Sequence, residues 1–274
     1  MKKVWITGAR GHVGAALLKA LDTTRYQLLT TDMGDVDVSN SEDVHFFAQM
    51  NRPDVIINCA GMTDIAYCAS HRDEAYRVNA IGPRNLAIEA EANNCKLIQI
   101  STGDLFNKPS RVPYTEFDPV HPVSTYGRSK YAGEQLLTGL TTRYVIIRTT
   151  WVYGTGRDFV RTVVEASRSR EPLQTPINQY ASPTSAKELA KVIAKFIDND
   201  LFGTYHAVCP GACNYYEYAR EIIKNLKLKV ELVPVAEHNG VTPFYSVLDN
   251  MMLKLDGIEQ PVDWNTALLE YLDE

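Results

Sequence analysis

Excess positive charge is missing from this chain: 28 Lys and Arg stand against 33 Asp and Glu, for a formal net charge of -5. Binding to a phosphate backbone needs a basic footprint, so nucleic acid is not an expected partner. Long apolar runs are missing too. The opening residues, MKKVWITGAR, pass straight into a strand and a glycine turn, without the apolar stretch of a signal peptide or membrane helix. A cytoplasmic protein with no membrane partner is expected. Cysteine is sparse and scattered. Cys59, Cys68, Cys95, Cys209 and Cys213 form an odd set that suits reduced thiols better than a disulfide framework. HAVCPGAC brings His206 near Cys209 and Cys213, but a structural zinc site wants four ligands and no second cluster is present; no metal is expected, and these read as small buried side chains. Internal repeats, low-complexity tracts and charge blocks are absent as well.

What is there is the composition of a folded globular chain: 274 residues, 45% hydrophobic and 22% charged. Short β-rich runs alternate with helical patterns. KVWIT leads to a helix through HVGAALLKAL, YQLLTT to a helix through EDVHFFAQM, and DVIIN to a long helix over DEAYRVNAIGPRNLAIEAEA. KLIQIS, a helix around VSTYGRSKYAGEQLL, and RYVIIRT follow. VIIN and VIIR are continuously apolar, as strands buried on both faces are. The alternation predicts an α/β fold, a Rossmann-type doubly wound parallel sheet with ligands at the carboxyl ends of its strands. After about residue 150 the pattern loosens into helices near DFVRTVVEASRS and AKELAKVIAKFI, then aromatic and proline-containing segments. The expected division is a Rossmann-type domain over 1–150 plus roughly 179–203. A smaller C-terminal substrate-binding lobe takes 151–178 and 204–274.

Directly after the first strand stands GARGHVG, with Gly8, Gly11 and Gly14 opening a helix. Glycine permits the tight turn, the approach of backbone N–H groups to a pyrophosphate, and close helix packing, while the helix N-terminus favours an anion. Strand before and helix after are the context in which this pattern signifies dinucleotide binding. Arg10, His12 and Val13 lie in the same turn. Asp32, just after the second strand, is placed to accept hydrogen bonds from ribose hydroxyls and so favours NAD. Arg10 could instead pair with the extra phosphate of NADP. The two signals oppose one another, with a slight lean to NAD. Asp37 is either an acceptor for the adenine amino group or a solvated loop residue.

Tyr126 precedes Lys130 by four residues inside a helical pattern. With 15 Tyr in the chain, about one such pair is expected by accident, so spacing alone does not decide its meaning. In a helix the two share a face. A free tyrosine, with a pKa of about 10, exchanges protons poorly at neutral pH. A neighbouring ammonium and the positive ring of an oxidised nicotinamide are expected to lower that value.

Taken together, GARGHVG, NCAG at 58–61, VNA at 78–80, IST at 100–102 and YGRSK resemble the extended short-chain dehydrogenase/reductase family. RTTWVYG at 148–154, NQYASPTSAKELA at 178–190, GTYHAVCPGACNYYEYAREI at 203–222 and YSVLDN at 245–250 narrow the likeness to its dTDP-4-dehydrorhamnose reductase branch. The resemblance implies a reversible reduction of a 4-keto nucleotide sugar, with hydride from NAD or NADP and a proton from Tyr126. It implies that Thr102 holds the carbonyl oxygen, that Lys130 also binds the cofactor ribose, and that Asn79 supports the sheet and helix. Val38, Cys59, Ala60 and Gly61 join the cofactor residues. Ile65, Gly103, Asp104 and Trp151 fall on the substrate side, although an aromatic at a strand end is equally an ordinary core residue. Homodimers are common in that family. The chain departs from the family in three places. Gly103 and Asp104 replace an Asp and a Tyr, Ala66 and Ala69 replace acidic residues, and Thr242 before Pro243 replaces an Arg. The alternatives are therefore a reductase of a different ketone, or a noncatalytic regulatory subunit on the same fold.

Overall fold

The computed structural model describes residues 1–108, 110, 112–236 and 243–273. Among them, six parallel strands form one sheet: β1 (Lys2–Thr7), β2 (Tyr26–Thr31), β3 (Val55–Asn58), β4 (Lys96–Thr102), β5 (Tyr144–Thr149) and β6 (Gly203–His206). Their spatial order is β6-β5-β4-β3-β1-β2. Successive side chains on a strand point to opposite faces, and here both faces are covered. Val4, Ile6, Ile57, Ile98 and Ile147 pack in one layer with Leu17 of helix His12–Ala20 and with Leu189 and Ile193 of helix Ala186–Lys195. Trp5, Ile56, Leu97 and Ile146 pack in the other, with Val44, Leu86 and Leu137 from helices Ser41–Asn51, Gly82–Ala92 and Thr125–Thr138. This two-sided burial is why VIIN and VIIR show no polar alternation. Each such side chain contributes about 1.5–3 kcal/mol when fully buried.

The order reverses between β1 and β3, and their crossover helices leave to opposite faces, which opens a crevice above the carboxyl ends. Buried polar side chains tie those ends together. Thr7 Oγ1 donates to Asn58 Oδ1 at 2.6 Å, and Asn58 Nδ2 donates to Gln99 Oε1 at 2.7 Å.

The second core is aromatic. Tyr153, Val160, Val163, Tyr218, Ile222 and Leu268 pack together, drawing on helices Phe159–Ser169, Tyr215–Leu226 and Trp264–Leu272. The last two helices were expected only as aromatic and proline-containing segments; capping explains them. Asn214 and Glu217 form a reciprocal capping box at the first, and Asp263 accepts from Asn265 N and Thr266 N at the second. The sheet runs past the boundary expected at 203/204. Gly203–His206 pairs with Val145–Arg148 as β6, and Leu253 and Tyr205 share the first core layer. His206 is fully buried, and its Nδ1 faces the carbonyl oxygens of Tyr114 and Asp249 at 3.2 and 3.1 Å, so that nitrogen carries the proton. All five cysteines are free. No helix among the described residues is long and apolar enough to cross a membrane.

Candidate active site

The glycine turn is shaped by what it must approach. Gly8 has φ +63°, and a Cβ there would stand 2.7 Å from the Ala60 nitrogen; a Cβ on Gly14 would stand 2.4 Å from the Gly8 carbonyl oxygen. β1, the loop after β3 and the following helix therefore meet main chain against main chain. Gly11 is the N-cap of helix His12–Ala20, and no side chain caps its first amides. His12 Nε2 donates to the Arg157 carbonyl at 3.2 Å, whereas its Nδ1 is buried without a partner.

Two adjoining cavities share Gly11, Cys59 and Gly61 and form one trough over the carboxyl ends. The first, of about 420 Å³, is lined by Gly8, Asp32, Asp37, Val38 and Ala60 among others. Asp32 accepts from the Arg10 amide at 2.9 Å, with the Arg10 Nε 3.7 Å away. The opposing NAD and NADP signals thus sit in direct contact. Arg10 is highly exposed and lines neither cavity, and Gly14 is buried behind the turn. Asp37 Oδ1 is engaged by the Ser39 amide at 2.9 Å.

The second cavity, of about 360 Å³, is lined by His12, Val13, Ile65, Thr102, Asp104, Tyr126, Lys130 and Trp151, among others. Helix Thr125–Thr138 starts where it does because Ser124 caps it, accepting from the Gly127 amide at 2.8 Å. Tyr126 is thereby placed in the first turn, with Lys130 one turn on. Lys130 Nζ donates to the Ile100 carbonyl at 2.7 Å. Burial pushes its ammonium down to about 8, and the Glu134 carboxylate acts against that shift. The Tyr126 phenol is raised above its ordinary value by burial, with the Asp104 carboxylate adding to the effect and a hydrogen bond to Thr102 opposing it. The lowering expected of this phenol rests on the ammonium and the positive ring of an oxidised nicotinamide acting together; among the protein groups alone, burial prevails. Lys130 is turned toward the Ile100 carbonyl, and desolvation of the phenolate dominates.

Asn79 does what the resemblance implied of it. Its Oδ1 accepts from Met62 N at 2.8 Å and its Nδ2 donates to Ser129 Oγ at 3.0 Å. The same helix carries a support that the sequence reading missed. Arg148 on β5 donates to Glu134 through Nε at 3.1 Å and Nη2 at 2.7 Å, and Ser101 Oγ donates to Glu134 Oε1 at 2.5 Å. Glu134 lies four residues beyond Lys130, on the same face.

Of the expected substrate-side residues, Ile65, Asp104 and Trp151 line the cavity but Gly103 does not. A Cβ on Gly103 would stand 2.3 Å from Thr150 Cγ2, so this residue is pressed into the core. Trp151 has φ +42° and stacks on Tyr215, with ring centroids 3.8 Å apart. Thr63, Gln179, Tyr215 and Ser246 also line the cavity without having been singled out. Tyr215 opens the helix that Asn214 caps, and only that cap marked its place in the sequence. Ala66 and Ala69 lie on the short helix Ile65–Ser70. Thr242 lies outside the described residues.

A parallel Rossmann-type sheet, with a glycine turn at β1 and a Thr/Tyr/Lys group over β4, defines the architecture of the short-chain dehydrogenase/reductase class. The whole chain, residues 1–274, matches the family described as RmlD substrate binding domain, and it belongs to that family. The spore coat polysaccharide biosynthesis protein SpsK of Bacillus subtilis is 34% identical, over 100% of this chain and 98% of its own. The crystal structure of a dTDP-4-dehydrorhamnose reductase from Bacillus anthracis in complex with NADP superposes with a TM-score of 0.96 at 36% identity, covering 100% of this chain and 99% of that one. A dTDP-4-dehydrorhamnose reductase ortholog from Clostridium acetobutylicum gives a TM-score of 0.95 at 38% identity, with 99% and 98% covered.

Proposed function

We propose that this protein is an NAD(P)H-dependent reductase of a 4-keto nucleotide sugar of the dTDP-4-dehydrorhamnose type. The observation that carries the reading is the convergence of Thr102, Tyr126 and Lys130 on one cavity that is continuous with the glycine turn. The relatives' names and the NADP complex of the Bacillus anthracis protein support it.

The residues present fit a dinucleotide. The uncapped amides at the start of helix His12–Ala20 stand beside Gly8 and Gly11, which line the first cavity, and a Cβ on Gly8 or Gly14 would clash with main chain and displace that turn. In this reading Gly8, Gly11, His12 and Val13 hold the diphosphate, and Gly14 lets the helix pack against the turn from behind. Asp32 and Arg10 hold the adenosine ribose or its phosphate, and Asp37, Val38, Cys59, Ala60 and Gly61 shape the remaining seat. The bound dinucleotide supplies the hydride. Tyr126 supplies the proton. Raised above its ordinary value, its phenol carries that proton throughout the neutral range, as reduction requires. Thr102 Oγ1 accepts from the Asp104 amide at 3.1 Å, which leaves its own hydrogen free for the Tyr126 oxygen or a carbonyl oxygen beside it. Lys130 reaches the cofactor ribose and stabilises the phenolate left after proton transfer. Trp151 and Ile65 bound the sugar. The free thiols suit a reducing, cytoplasmic compartment.

Replacing Tyr126 with Phe removes the proton donor and little else. It should lower kcat/KM for dTDP-4-dehydrorhamnose by about 10²–10⁴-fold and leave NADPH affinity unchanged. An unaltered rate would refute the assignment.

A further inference from the structure

Helix Thr125–Thr138 carries a second buried ionisable group on the Lys130 face, one that neither proton delivery nor the cofactor seat uses. Glu134 is 4% exposed and Lys130 is 7% exposed. Ser101 on β4 and Arg148 on β5 are paired across the sheet, and both side chains donate to the Glu134 carboxylate, Ser101 at 2.5 Å and Arg148 at 3.1 and 2.7 Å. Lys130 takes the carbonyl of Ile100, one residue earlier on β4, while Thr102 is one residue later. The helix thus docks on β4 through two consecutive residues, and the third is the one expected to hold the substrate carbonyl.

Docking alone does not call for a charge. An amide would accept the Ser101 hydrogen bond, and well-packed apolar side chains in place of a buried ion pair cost little stability. The carboxylate has another effect. Burial drives the Lys130 ammonium toward the neutral amine, and of the charges acting on it Glu134 is the strongest and favours the ammonium. Four residues apart on a helix, the two side chains are neighbours, with about 5–6 Å between Cβ atoms. The other groups facing Lys130 do little to hold its proton in the neutral range. Cys59, Cys68 and Tyr126 are raised by burial and stay uncharged there. Asp104, in the same cavity, is not among the charges that shift Lys130.

Resting on the reductase reading above, we propose that Glu134 is a positioning residue: anchored to Ser101 and Arg148, its carboxylate keeps Lys130 in the ammonium form that the reaction needs. The ammonium balances the phenolate left on Tyr126 after proton transfer, which a neutral amine cannot do. Arg148 in turn limits the pull of Glu134 by pairing with the same carboxylate. Lys130 loses its charge as pH rises through its titration, so this pair sets the alkaline limit of turnover.

The test titrates Lys130 in the protein without cofactor, by NMR of isotope-labelled lysine ε-carbons assigned with Lys130→Arg, and follows kcat/KM for dTDP-4-dehydrorhamnose at saturating NADPH across the same pH range. Glu134→Gln leaves Arg148 unbalanced beside Lys130, so the amine midpoint should fall by about one pH unit or more, and the alkaline drop in kcat/KM should move with it. Arg148→Met leaves the carboxylate unbalanced, so both should rise. A clamp that merely held the helix would not shift the two variants in opposite directions. Arg148→Met with Glu134→Leu keeps the packing without either charge, so it answers even where a single variant folds poorly; its midpoint should fall below that of the parent. Midpoints that stay in place, or that move the same way in both single variants, overturn the role of Glu134 and leave the reductase reading standing. Midpoints that shift as expected, with no keto sugar reduced by the parent, overturn the reductase reading and leave the coupling of Glu134 to Lys130 standing.

Discussion

The two ends of the trough are built by different means. Over β1 and β3 the walls are main chain: Gly8 against Ala60, Gly14 against Gly8, and uncapped amides at the start of a helix. Over β4 and β5 the walls are side chains from separate segments, held by Arg148 and Glu134, by Asn79, and by the Trp151–Tyr215 stack. The first end needs side chains to be absent. The second needs partners that lie far apart in sequence. Under the proposed function, one end binds features shared by all dinucleotides and the other features peculiar to one substrate. The difference predicts that damage at each end stays at that end.

The strongest challenge to that separation is Arg148→Met. Both members of the pair are buried, with side chains 8% and 4% exposed. Removing the guanidinium leaves the Glu134 carboxylate without its counter-charge beside Lys130, and breaking such a pair costs about 3–5 kcal/mol. Denaturant unfolding should report a loss of that order. The double variant Arg148→Met with Glu134→Leu should recover most of it, because a buried ion pair gains little over well-packed apolar groups. A loss well under 1 kcal/mol in the single variant would mean that the Tyr126 helix does not depend on this clamp.

A smaller effect, confined to the other end, is expected of Gly14→Ala. The added methyl would meet the Gly8 carbonyl oxygen at 2.4 Å and Ala9 Cα at 2.6 Å, all main chain, so the turn itself must move. Overpacking of this kind costs about 1–3 kcal/mol. Felt in the seat of the diphosphate, about 2 kcal/mol weakens NADPH binding roughly 30-fold. Equilibrium titration should show this, while kcat at saturating NADPH stays near the parent value. A fall in kcat with unchanged affinity would show that the two ends are mechanically coupled.

The same contrast explains what could be read before the structure was known. Gly8, Gly11 and Gly14 are informative because a main-chain site is written locally, between one strand and the next helix. β3 and β5 were legible from continuous apolar runs, and Tyr126 and Lys130 shared a face by spacing alone. Glu134 and Arg148 were visible only as anomalies: an acid on the inward face of a helix, and an arginine ending an apolar strand. That each answers the other is a tertiary fact. Gly103 was misplaced because nothing in STGDLF says that Thr150 occupies the space its side chain would need. For the phenol of Tyr126, spacing reveals a neighbouring ammonium but not how deeply the ring is buried.

The smallest expected effect, and the finest test of the separation, comes from Trp151. Its φ of +42° places a bulky residue in the left-handed region, and its ring lies 3.8 Å from that of Tyr215 at 25°. Trp151→Ala keeps the strained backbone and removes the stack. Aromatic pairs are worth about 0.5–1.5 kcal/mol beyond their buried area, so KM for the keto sugar should rise roughly 2- to 12-fold with NADPH affinity unchanged. Trp151→Gly removes the same ring but relieves the backbone, since glycine adopts positive φ readily. The Gly variant should therefore be the more stable of the two by about 1 kcal/mol, with the same rise in KM. Should the two variants differ in KM instead, backbone strain at 151 shapes the substrate cavity directly, and side chains alone would no longer account for that end of the trough.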